Sequence, residues 1–419
     1  MRRTLVGCVL GLAALLLCHA PAAAQPIEQP QDSTNWPEMI GKLQQQVHQR
    51  PGLASLRQQL AVAYNNYGVQ LSQDGQWDLA AKQLQEAIRI DSANGQFRTN
   101  LSNVYLNQAY QAHQRYQTNE ALAVLDQAVA LMPDLAQAYA LRGEIEYGRQ
   151  RLKEAKAAWQ RSLELDPEQP DLEKRLTQVT EELPVESKFE RLSQAYFDLR
   201  YEEGLDQPAG FDVRDALLEA RREVGSDFAY WPKHKIVVLI YSAESFRKLR
   251  QETPDWVAGQ FDGKIRVPLP GTQLDSATVK QIIFHEYTHA LVYDLAGVSC
   301  PIWLNEGLAE YQGAKEKPAS FSRLASAAAA KRLLPWERLS EQFSMTLPSD
   351  AVLLGYQQAH SVVRYLVTRY GFWRMRRVLK ALAGGGQPLP EVLETEFRVK
   401  TARLEAQWLE WLPELLKTP

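Results

Sequence analysis

Residues 281–294 form an apolar segment without proline or glycine, and this segment limits the local fold more than any other stretch of the chain. Such a segment is expected to be helical. It contains the pattern H-E-x-x-H, with His285, Glu286 and His289. Residues four apart share one face of a helix. The two imidazoles can therefore bind one Zn²⁺ ion, with Glu286 as general base on the zinc-bound water. The alternative is a buried helix with two incidental histidines.

A second segment, residues 301–311, offers further carboxylates in the order P-I-W-L-N-E-G-L-A-E-Y. A catalytic zinc site uses three protein ligands and leaves one position open. Glu306 follows His289 by enough residues for the first helix to end and a second to return. Glu310 lies one turn after Glu306 and could accept a hydrogen bond from a zinc-bound histidine. The alternative interpretation is a solvated acidic helix.

Together, H-E-x-x-H and W-L-N-E-G-L-A-E-Y resemble the gluzincin metallopeptidases, especially the peptidase MA-like domains and more remotely the aminopeptidase N family. The resemblance implies an α+β, thermolysin-like domain with zinc ligation by His285, His289 and Glu306. It also implies that Glu286 is the base. Glu310 matches the acid that follows the glutamate ligand by four residues in many gluzincins. The interval between the two motifs is slightly shorter here than in aminopeptidase N.

Residues 354–366 are similar to the segment in which aminopeptidase-like gluzincins place a tyrosine that donates to the developing oxyanion. By position this tyrosine is Tyr356, and His360 one turn later is the rival donor. The match is partial, because Gln357-Gln358-Ala359 stand where the aminopeptidase pattern has lysine and glycine. A core tyrosine is the alternative.

Residues 263–269 are predicted to form a strand, and Pro268 favours a place at the edge of a sheet. In the gluzincins, an edge strand above the zinc pairs with an extended substrate. The resemblance therefore makes Gly263, Ile265 and Val267 candidate substrate-binding residues.

The first 24 residues have the features of a secretory signal peptide: a basic start, the apolar run 5–18 and small residues before Gln25. The apolar run is too short to span a bilayer, and no later stretch is long enough. We expect export, with the periplasm as the simplest location and residues 25–36 as a disordered lead-in. An uncleaved anchor is an alternative. A lipoprotein is less favoured because Leu17 precedes Cys18.

The formal net charge of −3 predicts no bulk attraction to nucleic acid or to an anionic membrane. Only Cys300 remains after signal cleavage, so the mature chain cannot form an internal disulfide. One local exception to the mixed charge is residues 373–382, which combine Arg374, Arg376, Arg377 and Lys380. We interpret this segment as a solvated basic face, with an acidic partner as the alternative.

Residues 37–183 show a repeated pattern of small residues and turns. Ala121 and Ala155 occupy equivalent positions 34 residues apart, whereas Ala80 and Ala121 are 41 apart, so one unit carries about two extra helical turns. The pattern resembles tetratricopeptide (TPR) repeats, which stack into an α-solenoid. The predicted units are residues 61–94, 102–135 and 136–169, with residues 171–183 as a capping helix.

TPR solenoids usually bind a peptide or protein on their concave face. Asparagines recur on the predicted first helices and could hydrogen-bond an extended backbone, or they could be solvated polar positions. They are Asn65, Asn66, Asn100, Asn103 and Asn107.

The sequence thus predicts a mainly α protein, with a TPR solenoid over residues 37–183 and an α+β gluzincin-type domain over residues 187–419. The predicted function is zinc-dependent hydrolysis of a peptide or protein substrate, with a slight preference for endopeptidase activity. One alternative is a TPR scaffold whose peptidase-like domain only binds. Another is zinc hydrolysis of a non-peptide amide.

Overall fold

The structure is a computed structural model that describes residues 35–204, 207–249, 260–269, 276–344, 347–383 and 385–417. The predicted signal peptide and nearly all of the predicted lead-in lie outside these residues. The described residues form two compact units, and the division falls between Leu183 and Pro184.

The first unit is built from helices joined by short turns, the last of which continues past the division. They are α1 (Trp36–Gln49), α2 (Ala54–Gln73), α3 (Trp77–Ile90), α4 (Gly95–Gln114), α5 (Thr118–Leu131), α6 (Ala136–Gly148), α7 (Leu152–Leu165) and α8 (Pro170–Glu186).

The helices of the first unit pack as consecutive pairs, α2 with α3, α4 with α5 and α6 with α7. The second helix of each pair has 14 residues, whereas the first has 20 in α2 and α4 and 13 in α6. The longer first helices account for the 41-residue spacing. They also correct two boundaries, because predicted units 61–94 and 102–135 begin inside α2 and α4. A 20-residue helix and a 14-residue helix fill a 34-residue window completely and leave no residues for the turns.

A hydrogen bond recurs with the same 41-residue spacing. The side-chain amide of Gln44 donates to the hydroxyl of Tyr64 over 2.6 Å, and that of Gln85 donates to Tyr105 over 2.7 Å. Helix α1 therefore occupies the place of a second helix, equivalent to α3, at the start of the described array.

The asparagines of α2 and α4 are mostly buried, which corrects the expectation that they are solvated or face a peptide. Asn65 and Asn100 are fully buried. The amide of Asn100 donates to Oδ1 of Asn65 over 2.8 Å, and the amide of Asn65 donates to Oδ1 of Asn66 over 3.0 Å. These amides join neighbouring helices, because a buried amide needs a hydrogen-bond partner.

The second unit contains a five-stranded sheet in the order β1-β2-β3-β5-β4. The three inner strands run parallel, and both outer strands pair antiparallel to their neighbours. The strands are β1 (Glu190–Ser193), β2 (Phe197–Tyr201), β3 (Ile236–Ser242), β4 (Gln260–Phe261) and β5 (Ile265–Leu269). Strand β3 is apolar up to Tyr241 because both of its faces are covered.

The remaining helices of the second unit include one long buried helix, α11 (Ser276–Ala296). They are α9 (Gln207–Phe228), α10 (Ala243–Leu249), α11 (Ser276–Ala296), α12 (Ile302–Gly313), α13 (Ser322–Ala329), α14 (Ser349–Tyr370), α15 (Phe372–Leu382), α16 (Leu389–Phe397) and α17 (Thr401–Lys417). Helix α11 packs against α9, α12, α15 and β5, which explains why its sequence is apolar nearly all round.

The prediction of an open edge at residues 263–267 is wrong at Ile265 and Arg266, because both pair with β4. Phe261 of β4 pairs with Ile265, so β5 lies between β3 and β4. Gly263 lies in the turn that joins the two strands, where its φ of +91° favours glycine. On its other side β5 pairs with β3, and Val267 lies opposite Ile240. Strand β4 has only two residues, too few to show a pattern in the sequence.

Within the part of the chain that the structure describes, every helix falls short of the combined length and apolarity that crossing a bilayer requires.

Candidate metal centre

Helices α11 and α12 bring two histidines and a glutamate to one buried point. The rings of His285 and His289 are 4.8 Å apart. Their Nε2 atoms lie 3.5 and 3.6 Å from Oε2 of Glu306, and one ligand atom from each of the three side chains lies within 4.8 Å of the others. All three residues are buried. The predicted ligand set is therefore assembled at one place.

The other nitrogen of each imidazole faces an oxygen acceptor. Nδ1 of His289 is 2.9 Å from Oδ1 of Asn305, and Nδ1 of His285 is 3.3 Å from a carboxylate oxygen of Glu310. An acceptor at this position holds the proton on Nδ1 and leaves the lone pair of Nε2 for a metal ion. Glu310 thus occupies the orienting position predicted for it.

The donor atoms that face inward fit a divalent metal ion. Nε2 of both histidines and both carboxylate oxygens of Glu306 are buried, and none has a hydrogen-bond partner among the described residues. Buried polar atoms are rarely left without a partner, because each one loses its hydration. Two imidazole nitrogens and a carboxylate suit a zinc-type ion, which would satisfy these atoms together.

The pKa values show strong electrostatic coupling within the cluster. Burial raises the pKa of Glu306 to about 7, although His285 opposes the shift. Burial and the nearby His285 lower the pKa of His289 to about 3. Burial also lowers the pKa of His285, but the nearby carboxylates of Glu306 and Glu310 outweigh that effect and raise it to about 10. The surrounding carboxylates therefore favour positive charge at this point.

Two glycines allow α12 to approach its neighbours. A Cβ atom on Gly307 would lie 2.7 Å from the backbone oxygen of Ala359 in α14. A Cβ atom on Gly313 would lie 3.1 Å from the backbone oxygen of Gln281 in α11. Both distances are shorter than ordinary contacts, so the absence of side chains lets α12 hold Glu306 against the two histidines.

Glu286 is 1% exposed on α11, and its charge acts on the adjacent His285. Tyr356 is also buried, and its ring meets Phe343 edge-on at 5.1 Å. These positions agree with catalytic or core roles alike, so the roles predicted for both residues stay predictions.

His360 interacts electrostatically with the cluster, because the charges of Glu310 and His285 both act on its imidazole. Its ring packs against Phe321 at 5.0 Å and against Tyr311, the residue after Glu310, at 6.3 Å. Burial lowers the pKa of His360 to about 4, although the charge of Glu310 opposes the shift. The imidazole is therefore neutral at pH 7, and a neutral imidazole can still donate one hydrogen bond.

Asn305 is the site residue that the sequence analysis missed. It stands directly before Glu306, so a short polar side chain beside a predicted ligand was the available signal. Its partner His289 is 16 residues away on another helix. The contact depends on how α11 and α12 cross, which the sequence does not show.

Two histidines one turn apart on a buried helix, with a glutamate from the next helix, form a candidate site for a metal ion. Residues 236–414 match the family model of the Peptidase MA superfamily. The match runs from β3 into α17 and contains the whole candidate metal centre, although it covers less than half of the chain. It confirms the coarser prediction of a peptidase MA-type domain. No curated protein matches the chain. The paired helices α2–α7 lie outside the family match and are compatible with TPR repeats.

Proposed function

We propose that this protein is a zinc metallopeptidase with His285, His289 and Glu306 as ligands and Glu286 as general base. The convergence of two imidazole Nε2 atoms on the buried carboxylate of Glu306 carries the proposal. The match of residues 236–414 to the Peptidase MA superfamily supports it.

Each side chain around the metal position has a separate role in the proposed reaction. Zinc bound there would polarise the scissile carbonyl and lower the pKa of a water molecule. Glu286 accepts the proton of the attacking water and later delivers it to the leaving amine. Tyr356 or neutral His360 donates to the oxygen that gains negative charge. Asn305 and Glu310 hold the imidazoles in the orientation that ligation needs.

The substrate is a peptide or protein, and the enzyme cleaves internal peptide bonds of that substrate. The sequence has no evident motif for holding a free amino terminus, which favours an endopeptidase. The repeats of α1–α8 act as a TPR solenoid that binds a protein partner or the substrate. The signal-like start of the sequence supports export to the periplasm.

Glu286→Gln tests the catalytic role. The purified protein is incubated with a peptide library made from a digested proteome, and mass spectrometry counts new cleavages. We expect Glu286→Gln to lose roughly 10²–10⁴-fold in rate, the usual contribution of a general base, while it keeps its metal. The matched control is Glu391→Gln, on the exposed side of α16. Full activity in Glu286→Gln would contradict the assignment. Cleavage of cell-wall amides, with peptides left intact, would favour the non-peptide hydrolase.

A further inference from the structure

Positive charge is concentrated in one late segment of the second unit. Residues 364–403 contain nine Lys or Arg and three Glu, a net of +6 in a chain whose formal net charge is −3. The segment covers the end of α14, all of α15 and α16, and the start of α17. The small net charge of the chain therefore conceals a strong separation of charge.

Helix α15 divides its residues between the core and the outside. Met375, Val378, Leu379 and Leu382 are buried. The opposite face carries Trp373, Arg376 and Lys380, and Arg369 adds an exposed cation in the last turn of α14. We call these four residues the basic surface.

The acids of the segment leave much of this charge uncompensated. Glu396 pairs with Arg377 at 2.6 Å, and Glu394 pairs with Lys400 at 2.7 Å. Seven of the nine cations form no ion pair with any described residue: Arg364, Arg369, Arg374, Arg376, Lys380, Arg398 and Arg403. All three cations of the basic surface belong to this set.

Trp373 is exposed and yet held in place. Nearly half of its surface, 49%, is accessible. The guanidinium of Arg374 lies 4.8 Å from the indole ring centre, and that of Arg377 lies 5.9 Å away. The indole also packs over Gly371, where a Cβ atom would lie 2.9 Å from it. An exposed indole flanked by cations offers apolar area and positive charge together, a combination that is typical of an interface.

We propose that the basic surface docks the protein peripherally on an anionic lipid bilayer. Tryptophan prefers the boundary between headgroups and acyl chains, and lysine and arginine are attracted to anionic headgroups. Each Lys or Arg near such a surface strengthens binding roughly fivefold. The acids elsewhere in the chain oppose this weakly, because salt screens charges beyond about 8 Å. The net charge alone predicted no attraction to such a membrane, and the local distribution reverses that expectation.

The composition of the basic surface favours a bilayer over a soluble polyanion. A soluble polyanion would bind through the cations alone, whereas a bilayer also takes up the exposed indole. The contribution of Trp373 therefore distinguishes the two partners.

The test measures co-sedimentation of the purified protein with lipid vesicles. One set is phosphatidylcholine, and in the other phosphatidylglycerol replaces a third of the lipid. We expect binding to the anionic set at low salt, loss of binding at high salt, and little binding to the neutral set. Arg376→Glu/Lys380→Glu should weaken binding at least about 25-fold, from two contributions of fivefold each. Trp373→Ala should weaken it several-fold.

The matched control is Arg57→Glu/Lys82→Glu, which changes the net charge equally at exposed positions of α2 and α3. It should bind as the wild type does, and thermal melts check that every variant is folded. Absence of binding to anionic vesicles at low salt would overturn the proposal. Equal loss in the control variant would overturn it too. So would equally tight binding to polyglutamate that is unaffected by Trp373→Ala, which would identify a soluble polyanion. None of these results depends on a metal ion or on peptidase activity.

Discussion

Nδ1 of His289 lies 2.9 Å from Oδ1 of Asn305, the residue that directly precedes Glu306 in the sequence. Helix α12 thus reaches His289 with two adjacent side chains. Asn305 meets one nitrogen of the imidazole, and Glu306 faces the other at 3.6 Å. The orientation of His289 and the position of the third ligand are therefore set by the same turn of α12.

Asn305→Ala should weaken metal binding by about 10–100-fold, the usual effect of losing a partner that orients a ligand. Without the amide oxygen, the ring of His289 can rotate and its proton is no longer held on Nδ1. Competition with a chromophoric chelator measures the affinity. Asn119→Ala, at an exposed position of α5, should have no effect. Equal affinity in Asn305→Ala and the wild type would show that the contact does not orient the ligand.

Gly307→Ala should destabilise the protein by about 1–3 kcal/mol, as overpacking of a core usually does. The added methyl group would meet the backbone oxygen of Ala359 at 2.7 Å and a methyl group of Val363 at 2.8 Å. Chemical denaturation measures the loss. Gly41→Ala is the control, because nothing lies within 4 Å of its Cβ position in α1. This control should be neutral or stabilising by up to about 1 kcal/mol. Equal effects of the two substitutions would contradict close packing at Gly307.

The metal ligands of the site could be predicted from the sequence, whereas the residues that orient those ligands were predicted only in part. A helix, the four-residue spacing of His285 and His289, and the reach of Glu306 all follow from local periodicity and motif. The structure brings these residues together. The orienting role of Asn305 depends on the crossing of two helices, so the sequence did not reveal it. The roles of Tyr356 and Glu286 remain predictions of the resemblance.

His360 should make stability depend on pH between about 4 and 6.5. Its pKa is lowered to about 4 in the folded protein, chiefly by burial, with Glu310 opposing and Arg364 and His285 adding to the shift. Below pH 6.5 the unfolded chain takes up a proton that the folded protein refuses, so stability falls as the pH decreases. The full loss from this group is about 3 kcal/mol once the pH reaches 4.

His360→Gln removes this titration. The difference in free energy of unfolding between wild type and variant, measured by denaturation from pH 7 to pH 4, should therefore shrink by about 3 kcal/mol. A difference that stays constant with pH would mean that His360 titrates equally in the folded and unfolded states.

Gly75→Ala should destabilise the first unit by about 1–2 kcal/mol, the cost of a left-handed conformation for other residues. Gly75 has a φ of +72°, and nothing lies within 4 Å of its Cβ position, so the backbone alone sets the penalty. Thermal denaturation measures it. Gly52→Ala, where the φ is not left-handed and the space is open, should have little effect. Equal melting temperatures for the two variants would contradict this account.

For the array of helices, the sequence predicted the repeat spacing but not the conformation of the turns or the burial of the asparagines. The small residues and the 34- and 41-residue spacings followed from the sequence. The positive φ of Tyr116 and Gln150 at the turns equivalent to Gly75 did not, because neither residue favours that conformation. Burial of Asn65 was also missed, since an isolated asparagine on a helix normally faces solvent.

Strand β4 shows a further limit of the sequence. A two-residue strand has no periodicity to detect, so β5 was predicted to be an edge. Pairing of Phe261 with Ile265 changes that position. The edge of the sheet is therefore set by the pairing of β4 with β5, and the residue pattern of neither strand predicts that pairing.

The most direct test of the central claim is the zinc content of the purified protein, measured by mass spectrometry beside His289→Ala. The proposed site predicts about one zinc ion per chain in the wild type, the same content in Glu286→Gln, and loss of the ion in His289→Ala. A wild-type protein that holds no zinc after careful purification and reloading would contradict the metallopeptidase assignment. That result would favour the scaffold alternative, in which the helical array is the functional part.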